Sequence, residues 1–171
     1  MNEGECMFYL TLFESLHECN VKYLLIGGLA VNLHGIPRMT MDIDLVVALD
    51  SENLSNFVQA AEKLQLKPVL PLALSDLLIP EKRLHWAKDR NMIAFALQPP
   101  ELGDPTLDIL IDPPIDIETA FERSVCRDLA GTRITLASIE DMILLKKASG
   151  RMQDVADIEH LEKLLPSEGM Q

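Results

Sequence analysis

Two acids one residue apart inside an apolar, β-prone run constrain this chain more than any other feature. Asp42-Ile43-Asp44 lies within Met41 to Leu49, and on a strand residues i and i+2 point the same way, about 6–7 Å apart. Two unpaired carboxylates in a dry core would be strongly unfavourable, and each would raise the other's pKa unless a cation neutralised them. The pair therefore sits at an open strand end or binds metal. A same-face acidic pair on a rigid strand suits magnesium, which takes a few carboxylates together with water and substrate phosphates. Standing alone, the triplet is better explained as two solvent-facing acids on a half-exposed strand, so its surroundings carry the argument.

Those surroundings are a strand, a glycine turn and a helix. Lys22 to Ile26 reads as a short buried strand, Gly27-Gly28 as a tight turn, and Leu29 to His34 as a brief helix stopped by Gly35 and Pro37. Backbone amides at such a turn can approach phosphate oxygens where a side chain would obstruct them. A Gly-Gly turn alone is more often only a turn; the acidic strand that follows gives this one its interest.

The rest of the chain supplies a mixed α/β frame. Met7, Leu10, Phe13 and Leu16 recur at helical spacing between Cys6 and Cys19. Ser51 is placed to cap a helix over Glu52 to Leu66. Residues 67–90, with Pro68, Pro71 and Pro80, predict only short helices. Strands are expected over Met92 to Leu97 and Thr106 to Ile111, a helix over Asp116 to Arg123, and a hairpin from Val125–Leu129 and Arg133–Leu136 around Ala130-Gly131-Thr132. A Ser138-Ile139-Glu140-Asp141 cap opens the first of two C-terminal helices, and the second runs from Met152 to Leu165 across a Ser149-Gly150 junction. The whole, residues 1–171, reads as one domain, with a core over about 5–136 and C-terminal helices over about 138–165.

Composition excludes several classes. A net charge of −12, from 27 acids against 15 bases, repels a phosphate backbone and argues against a nucleic-acid-coating role. Lys82, Arg83, Lys88 and Arg90 form a local basic cluster that is explained adequately as a solvated helix face. Cys6, Cys19 and Cys126 lack metal-type spacing and imply neither a disulfide framework nor zinc, which fits a reducing cytoplasm. The start Met1-Asn2-Glu3-Gly4-Glu5 carries acids where a signal peptide needs positive charge. No apolar stretch approaches the ~18 residues of a membrane span. His34, His85 and Trp86 are accounted for by packing, with base stacking a minor alternative for Trp86.

Gly27-Gly28-Leu29-Ala30, then Gly35, Arg38, Thr40 and Asp42-Ile43-Asp44-Leu45 together resemble the signature of the nucleotidyltransferase superfamily, which has the DNA polymerase beta-like fold. The Arg-x-Thr-x-Asp-Ile-Asp-Leu stretch is similar to the AbiEii-like and MNT-like group linked to toxin–antitoxin modules. Lys146, Gly150-Arg151, Asp154 and Asp157 follow that group's C-terminal pattern in order, so the likeness spans residues 22–49 and 138–162.

The resemblance implies an α+β nucleotidyltransferase fold, a short mixed sheet flanked by helices with a C-terminal helical pair. It implies Asp42 and Asp44 as catalytic metal ligands, with a third acid on a later strand. Asp108, within Thr106 to Ile111, is the choice; Asp112 shares its face but precedes Pro113-Pro114 and suits a structural role. Gly27, Gly28, Arg38, Thr40, Lys146 and Arg151 become candidate nucleotide contacts, although Arg151 could equally be held by Asp154 or Asp157, and Lys147 points elsewhere.

The implied activity is magnesium-dependent transfer of a nucleoside monophosphate from a triphosphate such as ATP to an acceptor hydroxyl. The acceptor is a protein, a tRNA end or a small molecule such as an antibiotic, and a cognate toxin or antitoxin is an expected partner. The alternatives are a nucleotide-binding or antitoxin-type protein of the same fold with little catalysis, and an α/β domain with a fortuitous acidic strand.

Overall fold

The structure, a computed structural model, describes residues 3–165, with side chains from Phe8 onward. The expectations for Cys6 and Met7 lie outside those described side chains. Helix α1 spans Glu3–Glu18 and buries Tyr9, Leu12, Phe13 and Leu16, the i, i+3, i+4, i+7 stripe of a helix laid on a core. Leu10, expected on that stripe, is only partly buried because the packed face is centred on Tyr9 and Leu12. Strand β1 (Tyr23–Ile26) is buried throughout, and α2 (Gly27–Leu33) follows it without an intervening loop, so the expected Gly27-Gly28 turn is the first turn of the helix itself rather than a separate turn before Leu29.

Strand β2 is Ile43–Val47, so Asp44 lies on the strand and Asp42 immediately ahead of it. Helix α3 (Ser51–Lys63) is capped by Asp50 rather than by the expected Ser51: the Asp50 carboxylate accepts the Asn53 N–H at 2.9 Å, which places Ser51 in the first turn. Buried Asn53 then fastens the helix to the sheet. Its amide donates to the Lys22 and Ala48 carbonyls at 3.0 and 2.9 Å, and its oxygen accepts from the Lys22 N–H at 2.6 Å.

The proline-rich stretch forms a two-residue strand β3 (Lys67–Pro68), a 3-10 turn (Leu74–Leu78) and α4 (Pro80–Arg90), which starts on proline. Strands β4 (Ala94–Gln98) and β5 (Leu107–Leu110) precede α5 (Ile117–Glu122). The expected hairpin is β6 (Val125–Leu129) and β7 (Thr132–Leu136). Helices α6 (Ile139–Ser149) and α7 (Met152–Glu162) form the C-terminal pair, and the Ser138 hydroxyl accepts the Asp141 N–H at the start of α6.

Among the described residues, seven strands join one mixed sheet in the order β3-β4-β5-β2-β1-β7-β6. Strands β1 and β2 run antiparallel, whereas β5 is parallel to β2 and β7 is parallel to β1. Phe13, Phe57, Phe95 and the buried leucines of the central strands form the core. Trp86 belongs to it, 3% exposed with its ring 5.4 Å from Phe95, so packing accounts for it. No helix among the described residues is long and apolar enough to cross a membrane.

Candidate active site

The sheet brings distant acids together by register. Asp44 is the parallel-ladder partner of Asp108 and the antiparallel partner of Ile26, so neighbouring strands hold the two carboxylates on one face about 5 Å apart at the backbone. Ile26 is the last residue before the glycine turn, and the acids therefore meet Gly27-Gly28 at one end of the sheet. Asp42 is exposed at the mouth of this site, and Asp44 and Asp108 are half-buried. Asp112 lies past the end of β5 and is exposed.

Each glycine has its own steric reason. Gly27 has φ of +69°, and a Cβ there would fall 1.9 Å from the Asp44 Oδ2. That left-handed backbone strains any L side chain. A Cβ at Gly28 would lie 2.6 Å from the Thr40 Oγ1 and 3.2 Å from the Arg38 Cζ. The turn is thus filled by Asp44 on one side and by Thr40 and Arg38 on the other.

Electrostatics follow from this crowding. Burial first, then the charges of Asp108 and Asp42, push the Asp44 carboxyl up to about 6, although Arg151 and Lys146 pull the other way. Burial and Asp42 likewise raise Asp108. A divalent cation would reverse both effects, and an all-carboxylate oxygen set is the donor chemistry that hard cations take. Among the described residues, no three His, Cys, Asp or Glu side chains stand as a closed ligand cluster. The three acids are neighbours that repel one another, and Asp42 turns to the Thr106 hydroxyl, which donates to its Oδ1 at 2.7 Å.

The cations flanking the acids are built from both ends of the chain. Lys146 is 6% exposed, and its Nζ donates to Asp157 at 2.6 Å and to Asp154 at 3.2 Å. The Arg38 guanidinium closes on the same Asp157 oxygen. Arg151, far more exposed, donates to the Ser149 hydroxyl at 2.8 Å and to Asp154 at 3.3 Å. Burial raises Asp154, but hydrogen bonds from Ser149 and Lys146 and the Lys146 and Arg151 charges outweigh it and hold it low. The ion-pair alternative for Arg151 is thus present in the structure, while its charge still reaches Asp44 and Asp108.

Residue-by-residue reasoning missed two partners. Thr106 carried no signal beyond preceding Asp108 by two positions. Asp157 stood in the C-terminal motif, but nothing in the sequence tied it to Arg38. Lys147 pairs with Glu162 at the surface, away from this network. His34 donates through Nε2 to the Ala137 carbonyl at 2.9 Å. With Arg123 and Arg127 it lines a separate cavity of about 370 Å³.

A mixed sheet with a glycine turn facing an acid pair, a third acid on the adjacent parallel strand, and helices on its flanks define a nucleotidyltransferase fold. Residues 11–170 match the family described as "Nucleotidyl transferase AbiEii toxin, Type IV TA system". The chain belongs to this family of nucleotidyltransferases.

Solved structures agree on the fold. The chain is similar to a nucleotidyltransferase-like antigen from Paracoccidioides brasiliensis (TM-score 0.60, 22% identity, 96% of this chain and 78% of that one). It is similar to the lincosamide antibiotic adenylyltransferase LnuA (TM-score 0.60, 20% identity, 96% and 99% covered). It also resembles the antibiotic-resistance factor ANT(2'')-Ia (TM-score 0.63, 18% identity, 98% and 88% covered). No curated protein matches the chain in sequence.

Proposed function

We propose that this chain transfers a nucleoside monophosphate from a nucleoside triphosphate to an acceptor hydroxyl, with magnesium held by Asp42, Asp44 and Asp108. The observation that carries this reading is the Asp44–Asp108 register beside a glycine turn that yields its Cβ space to Asp44. Bound there, the ion would neutralise triphosphate oxygens and the acids together. The backbone at Gly27-Gly28 receives phosphate oxygens, with Thr40 beside it, and Arg151 adds the positive charge that reaches Asp44 and Asp108. Lys146 adds its field at Asp44, and both it and Arg38 are already paired with Asp157.

Asp108, set beside Asp44 on the adjacent parallel strand, is the acid placed to take the acceptor proton. The acceptor oxygen attacks the α-phosphorus and its proton passes to Asp108. The bond to the α–β bridging oxygen breaks, and pyrophosphate leaves with the electron pair. The products are a nucleotidylated acceptor and pyrophosphate. Within the reading, the described chain works as one unit because α6 and α7 bring their charges to acids on β2 and β5. The need for a triphosphate fits a cytoplasmic reaction, and membership of the AbiEii toxin family supports a role as the toxin of a toxin–antitoxin pair. LnuA is a lincosamide antibiotic adenylyltransferase, which supports adenylyl as the transferred group and keeps small molecules beside proteins and tRNA as acceptors.

The test is pyrophosphate release from labelled ATP, CTP, GTP and UTP with magnesium, against an EDTA control. Metal-dependent release supports the reading. Tight nucleotide binding without release, across candidate acceptors, would favour the nucleotide-binding partner instead.

A further inference from the structure

Asp42 is the least supported of the three acids by the fold itself. It stands one residue before β2, outside the strand, and is exposed, whereas Asp44 and Asp108 are fixed by ladder positions. The nearest restraint from its own segment is a long contact of 3.4 Å from the Thr40 hydroxyl to its carbonyl, which does not orient the carboxylate.

Thr106 supplies what the strand does not. Its carbonyl accepts the Ile43 N–H at 2.8 Å, which fixes the backbone beside Asp42. Its hydroxyl donates to the Asp42 Oδ1 at 2.7 Å. The two bonds lock both the main chain and the carboxylate of the β2 entrance to the entrance of β5. Thr106 precedes Asp108 by two residues, so one short segment carries an acid of the site and the holder of another. An O–H donor is well suited here, because a carboxylate has about four acceptor sites and keeps the remainder for a cation.

We infer that Thr106 is a positioning residue for Asp42, orienting its carboxylate toward the metal through the Thr106 Oγ1–Asp42 Oδ1 hydrogen bond. The inference rests on the reading of Asp42 as a metal ligand. Partners that orient a ligating carboxylate typically change metal affinity by about 10–100-fold when removed. Thr106→Val keeps the β-branched shape, and so the strand entrance, while removing the donor. Thr106→Ser keeps the donor and loses only a methyl group.

The experiment is manganese binding, as a spectroscopic stand-in for magnesium, to the full chain without nucleotide. It is followed by electron paramagnetic resonance and calorimetry in the wild type, Thr106→Val, Thr106→Ser and Asp42→Asn, with melting temperatures recorded alongside. The expected result is a roughly 10-fold or larger weakening in Thr106→Val, recovery to within about 3-fold in Thr106→Ser, and loss in Asp42→Asn. Wild-type binding abolished in Asp42→Asn but unchanged in Thr106→Val would overturn the positioning role while leaving the metal reading intact. Equal weakening in both Thr106 variants would also overturn it, since that makes the methyl group responsible. No manganese binding by the wild type, or binding indifferent to Asp42→Asn, would remove the metal reading and this inference with it.

Discussion

Arg38 and Asp157 lie 119 residues apart in the chain and form a salt bridge beside the glycine turn. The same Asp157 oxygen accepts from Lys146, and both partners of that second pair are buried. The pair therefore connects the loop ahead of the acids to the C-terminal helices, and it makes α7 part of the wall of the site.

Removing Asp157 should be expensive. Asp157→Asn takes the charged partner from Arg38 and leaves the buried Lys146 ammonium with Asp154 alone at 3.2 Å; the loss should exceed that of a surface pair and stay below the about 3–5 kcal/mol of a fully orphaned buried charge. Lys147→Ala, which loses only the exposed pair with Glu162 at 3.3 Å, should cost about 1 kcal/mol or less. Chemical denaturation of the two variants compares them directly, and equal losses would contradict the network as described.

Asp44→Asn keeps the shape and removes the charge, so transfer should fall by orders of magnitude while the fold survives. The metal-free stability difference should depend on pH with a defined sign. The Asp44 pKa rises from 3.8 to about 6 on folding, so its favourable contribution is complete below the unfolded value and is lost as pH rises through the folded one. Relative to Asp44→Asn, the wild type should therefore weaken between about pH 4 and pH 7, by on the order of 3 kcal/mol at most at 1.36 kcal/mol per pKa unit. Urea titrations in EDTA at several pH values measure this, and a pH-independent difference would show that Asp44 ionises freely.

Gly27→Ala should damage both fold and activity. The left-handed φ alone costs a non-glycine residue about 1–3 kcal/mol, and the new Cβ also collides with the Asp44 carboxylate. Combining it with Asp44→Gly should recover part of the stability loss but none of the activity, a coupling that a double-mutant cycle reads out. Additive losses would mean that the two residues do not share the space.

A triphosphate with magnesium should raise the melting temperature, because a ligand bound only by the folded state stabilises it by about 2.7 kcal/mol at a hundredfold excess over its dissociation constant. EDTA should abolish the shift. Absence of a shift with all four ribonucleotides would count against a nucleotide site at the glycine turn.

Local signals in the sequence were sufficient for most elements. The stripe ending in Phe13 and Leu16, the buried run before Gly27-Gly28, the Ser138 cap and the Ala130-Gly131 hairpin each depend on neighbours within a few residues, and those elements form as expected. Capping contacts are local too, but Asp50 and Ser51 compete for one helix start, and composition could not choose between them. Asp42-Ile43-Asp44 announced itself because two acids in an apolar run are physically awkward without an open edge or a cation.

Only the tertiary structure could decide which strand lies beside β2 and in what register, since strand pairing between distant segments leaves no mark on either one alone. That register sets Asp108 against Asp44 and leaves Asp112 outside, and it brings Thr106 to Asp42. The same holds for Lys146, Arg38 and Asp157. Their types and order were visible, but whether a cation faces solvent, a ligand or a buried acid depends on how α6 and α7 fold back on the sheet, and here packing gave two of those cations to Asp157.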